Sequence, residues 1–188
     1  MGGLAVTEDE QHARLLDLDR PVAAVRAGEG VGLTSEGTGP VGSDGVTAWA
    51  PALPPTRLGD PTFRREHGVR LAYMAGAMAN GIASEEVVIA MGRAGLLGSF
   101  GAAGLVPARV EAAIRRIQQA LPNGPYAFNL IHSPAEEALE RGAVELYLRY
   151  GVRTVEASAF LDLTPHIVRY RVAGLRRRPD GGVEATNR

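Results

Sequence analysis

The stretch Ala72-Tyr-Met-Ala-Gly-Ala-Met-Ala-Asn-Gly-Ile-Ala-Ser84, with Gly95-Leu-Leu-Gly-Ser-Phe-Gly-Ala-Ala-Gly104 ten residues further on, decides the fold. Each half is an apolar run that ends in small residues. Between them Ser84, Glu85 and Glu86 open a helical pattern that runs to Ala94. Small residues at a strand end let the backbone turn, and a serine followed by two carboxylates suits the exposed N–H groups and positive end of a helix. The order is strand, bare turn, helix, strand, bare turn. That is a βαβ unit whose glycine-rich strand ends leave main chain uncovered, as the floor under a flat ligand requires.

The same design recurs outward from this stretch, giving four units from Leu58 onward. The first pairs a strand over 69–75 with the helix over 84–94. The second pairs a strand over 96–100 with a helix opened by Pro107, which carries Val110, Ile114, Ile117 and Leu121 on one face. The third pairs a strand over 126–131 with a helix signalled by Ser133-Pro-Ala-Glu136, read as a capping box, with Leu139, Ala143, Leu146 and Tyr150 facing inward. The fourth pairs a strand over 154–159 with a helix opened by Thr164-Pro165 and continued by Ile167, Val168 and Val172. Beyond it, Pro179-Asp-Gly-Gly182 predicts a hairpin turn. Alternating strands and helices of this length predict an α/β fold with parallel strands, as half of a barrel or as a small open doubly wound sheet.

Residues 1–56 read differently. An acidic stretch, one strand over 21–26 and a Gly/Ser/Thr/Pro-rich segment ending in Pro51-Ala-Leu-Pro-Pro55 predict an extended lead-in, with residues 57–188 as the folded body. The whole chain has 188 residues and a net charge of −1, short of the roughly 250 residues of a complete (β/α)₈ barrel. Scattered basic residues predict no nucleic-acid or anionic-membrane partner. All 20 basic residues are arginine and cysteine is absent, which excludes Schiff-base lysines, P-loop lysines, thiolate nucleophiles and disulfides from this sequence. His12, His67 and His166 are dispersed, so no metal site is expected. The first 20 residues lack a signal-peptide pattern and no apolar run reaches membrane-span length, so a cytoplasmic location is expected.

Tyr73-Met-Ala-Gly-Ala-Met-Ala-Asn-Gly-Ile-Ala-Ser84, Gly92-Arg-Ala-Gly-Leu-Leu-Gly-Ser-Phe-Gly-Ala-Ala-Gly104, Asn129-Leu-Ile-His-Ser-Pro134 and Glu156-Ala-Ser-Ala-Phe-Leu-Asp-Leu-Thr-Pro165 together resemble the PfaD family. These are trans-acting enoyl reductases of polyunsaturated fatty acid synthases and trans-acyltransferase polyketide synthases, related to the 2-nitropropane dioxygenase (nitronate monooxygenase) flavoproteins. The resemblance implies a partial TIM (β/α)₈ barrel, about its first four βα units. It also implies a flavoprotein oxidoreductase that holds FMN, takes hydride from NADPH and reduces the carbon–carbon double bond of acyl carrier protein thioesters. The alternatives are a nitronate monooxygenase-like oxidase on the same scaffold and a non-catalytic fragment. The resemblance further implies continuation past Arg188. The flavin-phosphate loops after strands seven and eight are absent here, so a missing C-terminal half or a second copy would be needed for turnover.

A flavin performs its own hydride chemistry and needs close main chain, hydrogen bonds at its pyrimidine edge and exclusion of water. The resemblance points for these to Gly76, Ala77 and Met78 at the first strand end, and to Asn129, whose amide can donate and accept. Glu156 shares a strand face with Ser158 and is either a flavin N–H partner or one half of an ion pair with arginine. His132 is the candidate proton donor, against a plain loop histidine. Arg176, Arg177 and Arg178 form a basic cluster, suited to an acidic carrier protein or simply solvated.

Overall fold

The computed structural model describes residues 3–36, 41–42 and 45–188, and divides into two compact units, Met1–Pro61 and Thr62–Arg188. The Gly/Ser/Thr/Pro-rich segment of the lead-in therefore lies partly outside the described residues.

The first unit has more regular structure than an extended lead-in. Helix α1 (Glu8–Leu16) starts at a capping box in which the Thr7 side chain accepts from Glu10 N–H and the Glu10 carboxylate accepts from Thr7 N–H. The strand expected over 21–26 is found as β1 (Val22–Ala27). It lies between β2 (Gly30–Thr34) and β3 (Val46–Ala50) in an antiparallel sheet of order β2-β1-β3. The extended reading misses this because the alternation in these strands uses alanine and valine, and small residues give a weak period-two signal.

The second unit opens within α2 (Pro61–His67), and its strands are β4 (Met74–Ala75), β5 (Leu97–Phe100), β6 (Ala127–Ile131) and β7 (Val155–Ser158). They are parallel and ordered β4-β5-β6-β7. Between and after them run α3 (Glu85–Arg93), α4 (Pro107–Ala120), α5 (Glu137–Arg149) and α6 (Pro165–Ala173). The predicted hairpin is present as β8 (Leu175–Arg177) against β9 (Val183–Ala185). No helix among the described residues is long and apolar enough to cross a membrane.

Side chains alternate along a strand, and register partners in a parallel ladder face the same way, so the sheet has two readable faces. One carries Phe100, Phe128, Leu130 and Val155, packed with Val88 of α3, Ile114 and Ile117 of α4, Val144 and Tyr147 of α5, and Tyr170 of α6. All four helices thus cover one face, whereas a doubly wound sheet covers both. The opposite face carries Leu97, Ser99, Ala127, Asn129, Glu156 and Ser158. At its base Leu97 and Ala127 pack with Val69, Phe63 and Met74. This α/β sheet curls like half of a barrel. A flat sheet would hold β4 and β7 roughly 14 Å apart. Yet the Glu156 carboxylate of β7 accepts the N–H of Ala77, just past β4, at 2.7 Å.

Three local expectations shift. Ser84 stands at the N-cap of α3, but its side chain makes no cap hydrogen bond. The first strand is two residues long instead of spanning 69–75, because Val69 N–H closes on Arg64 and Arg70 N–H pairs with Gly95 before the ladder begins. The Ser133–Glu136 capping box is absent. Residues 133–136 form a turn, and α5 begins at Glu137 without a side-chain cap. Its buried residues are Glu140, Val144, Leu146 and Tyr147, with Ala143 and Tyr150 packed against the same core, so of the expected inward set only Leu139 is exposed. Pro107 and Thr164-Pro165 do open helices as expected, and the Thr164 side chain accepts from Ile167 N–H. Thr164→Ala should lower stability by about 1 kcal/mol, read from a denaturant midpoint.

Candidate active site

At the C-terminal end of the parallel sheet the turns after β4 and β5 fold over one another. Gly81 N–H donates to Gly101 at 2.9 Å, Asn80 N–H to Ala103 at 2.8 Å and Gly101 N–H to Ala83 at 3.0 Å. The turn after β4 therefore lies directly on the turn after β5. A Cβ on Gly101 would land on the Met78 carbonyl oxygen, so this crossing needs glycine.

Across this end runs one polar network on the concave face. Glu156 accepts from Ala77 N–H, and Asn129 donates through Nδ2 to the Glu156 carbonyl at 3.1 Å and to Ser158 Oγ at 2.9 Å. Asn129 is fixed from the helix side as well, because the Tyr147 hydroxyl donates to its backbone carbonyl at 2.6 Å. Burial pushes the Tyr147 phenol above its ordinary pKa, so it remains a donor across the physiological range. Tyr147→Phe leaves a buried carbonyl unpaired and should lower stability by about 1–3 kcal/mol, measured by chemical unfolding.

Gly76, Ala77, Asn129 and Glu156 are thus brought together. A Cβ on Gly76 would sit 3.2 Å from Glu156 Oε1, which keeps bare main chain beside the carboxylate. Glu156 is tied to an amide here, not to an arginine. Met78 is half exposed, and its carbonyl accepts from Ala83 N–H at 3.2 Å.

His132 lies elsewhere. It continues the alternation of Phe128 and Leu130, which turns it toward the helix layer. Its Nδ1 meets Glu140 Oε2 at 2.8 Å and its ring lies 5.2 Å from that of Phe160. Thr164 donates its hydroxyl to the other oxygen of Glu140, a carboxylate that is 2% exposed. The network joins the loops after β6 and β7. Its partners come from three elements, so spacing along the chain gives no sign of it; the one available signal is Glu140 in phase with Val144 and Tyr147. The basic cluster is exposed on the hairpin: Arg176 stands opposite Glu184 in the ladder register, and Arg178 lies 3.4 Å from Asp180.

The residues present fit a planar cofactor in kind. The concave face is apolar at its base, and its tips offer uncovered main chain beside an amide and a carboxylate, the composition that a flat ring with one polar edge needs.

No protein-family model matches the chain. It is 56% identical over 131 residues to one of the subunits of the polyunsaturated fatty acid synthase of Thraustochytrium sp., covering 70% of this chain and 9% of that protein. It is 44% identical over 140 residues to the polyketide biosynthesis protein ThaF of Burkholderia thailandensis, covering 74% of this chain and 12% of the other. Among solved structures, the enoyl reductase domain of MlnA, from the macrolactin biosynthesis cluster of Bacillus amyloliquefaciens, superposes with a TM-score of 0.69 at 38% identity. That match covers 72% of this chain and 31% of the domain. The chain therefore spans less than a third of each of these relatives. With matches in both synthase types and a fold shared with a solved enoyl reductase domain, the chain belongs to the PfaD family.

Proposed function

We propose that this chain forms the early strands of an FMN-binding TIM barrel that reduces enoyl thioesters on an acyl carrier protein, with NADPH as hydride source. The observation that carries this reading is the meeting of the strand tips at one end of the parallel sheet: the turn after β4 lies on the turn after β5, and one polar network joins Ala77 past β4 to Asn129 of β6 and to Glu156 and Ser158 of β7 beside bare main chain. The chain end supports the barrel geometry: Arg188 N–H donates to Arg153 at 2.7 Å and its carbonyl accepts from Val155 at 2.8 Å, the pattern of a parallel bridge along the free edge of β7. Relatives in polyketide and polyunsaturated fatty acid synthases support a carrier-bound substrate.

When bound, the flavin supplies the hydride chemistry. The protein's own contribution is placement. Gly76, Ala77 and Met78 offer main chain to the ring, Asn129 reads its edge, and Glu156 holds Ala77 still. His132 takes a positioning role in this reading, because Glu140 ties it to the helix layer and so sets the loops around the tips.

The test supplies purified protein with FMN, NADPH and crotonyl-acyl carrier protein, and in parallel with FMN and a nitronate without NADPH. Formation of butyryl thioester with NADPH consumption supports the reductase. Oxygen consumption with the nitronate alone supports the oxidase. FMN binding without either reaction assigns turnover to a longer polypeptide than these 188 residues.

A further inference from the structure

The concave face holds two hydrogen-bonding atoms with no partner among the described residues. Ser99 on β5 is 1% exposed, and its hydroxyl has no partner among the described residues. Asn129 on β6 is 7% exposed and spends its amide donor inside the protein, on Ser158 Oγ and the Glu156 carbonyl. Its Nδ2 is therefore closed to a ligand. Its Oδ1 remains an acceptor, with no donor paired to it among the described residues. Ser99 stands in register with Ala127, and Asn129 lies two residues further along β6, so the two side chains are diagonal neighbours on one face. Native interiors rarely keep a buried hydroxyl without a partner, and here it stands on the concave face, one side-chain step below Asn129 and just above the apolar base, rather than within the packed helix layer.

We infer that Ser99 is a ligand-reading residue: its hydroxyl donates to a carbonyl of a planar, imide-bearing heterocycle, while Asn129 Oδ1 accepts the adjoining ring N–H. This rests on the flavin reading above and specifies which atoms read the ring. Asparagine alone could both donate to and accept from an imide edge, but the donor half of Asn129 is already used. Ser99 supplies the missing donor from the neighbouring strand. A flavin's pyrimidine ring presents such an edge, and so does a uracil nucleotide.

The test titrates FMN, and separately UMP, into the wild-type chain and into Ser99→Ala. Binding is followed by quenching of flavin fluorescence for FMN and by calorimetry for UMP, and each ligand-free protein is also unfolded thermally. Without ligand, Ser99→Ala is expected to be at least as stable as wild type, since it removes an unpaired hydroxyl. It is expected to bind FMN about tenfold more weakly. A carbonyl stretching band of the bound flavin should rise in frequency with loss of the donor. Unchanged FMN affinity and an unshifted band in Ser99→Ala would overturn the inference and leave the flavin reading standing. A ligand-free variant less stable than wild type would also overturn it, by making the hydroxyl structural. UMP binding that Ser99→Ala weakens, with no FMN binding by wild type, would support the edge-reading role and overturn the flavin reading. Binding of neither ligand would overturn both.

Discussion

Gly101→Ala is expected to displace the turn after β4 and lower stability by more than about 3 kcal/mol. The added methyl meets the Met78 carbonyl, which is main chain, and main chain has no rotamer by which to move aside. Relief would require breaking the bonds that lay residues 80–83 on residues 101–103. Those bonds also hold Ala77 near Glu156, so under the proposed flavin role FMN affinity should fall together with stability. Thermal unfolding and flavin titration of the same preparation check this. A wild-type midpoint would mean that the two turns do not cross as described.

The second large effect is expected at Arg109. Its guanidinium makes a bidentate pair with Glu85, at 2.6 and 2.8 Å, and lies 5.6 Å from the centroid of the Phe100 ring. The Glu85 side chain is 5% exposed, while that of Arg109 is 42% exposed. Removing the arginine strands a buried carboxylate, whereas removing the carboxylate frees a cation that water can reach. Arg109→Ala should therefore lower stability by about 3 kcal/mol, the low end for a broken buried pair because one partner is solvated. Arg109→Ala combined with Glu85→Gln should recover much of the loss. The hydrogen bonds from Arg109 hold the Glu85 carboxyl below the usual carboxylate range. A depressed folded value gives stability that is present above the unfolded pKa, about 4.3, and is lost as pH falls through the folded one. The gap between wild type and Arg109→Ala should accordingly narrow below about pH 4, as denaturant midpoints across an acid series will show.

Much of the second unit is legible in the sequence because its signals are local. Pro107 at a helix start, Val110, Ile114, Ile117 and Leu121 on one face, Thr164-Pro165 as a cap and Pro179-Asp-Gly-Gly182 as a turn act within a few residues, and all are found. The first turn of α5 is not legible, because its start is set by the turn at residues 133–136 and the buried position near that end goes to Glu140, whose partners lie in other elements, rather than to Leu139. The sheet of the first unit stays hidden because alanine-rich strands carry little alternation. At the site, small residues and Asn129 mark the strand tips. The direction of His132 depends on where β6 ends, and the unmet hydroxyl of Ser99 shows only once its neighbours are in place.

The bond from Glu156 to Ala77 joins residues 79 positions apart. Each βα unit can dock on the one before it as the chain emerges, but this link must wait until the fourth strand has been synthesised and seated. The amide proton of Ala77 is therefore a late reporter. In pulsed hydrogen exchange it should remain unprotected after the amides of β5 and β6 have slowed, and its protection should date the moment at which the sheet closes on itself.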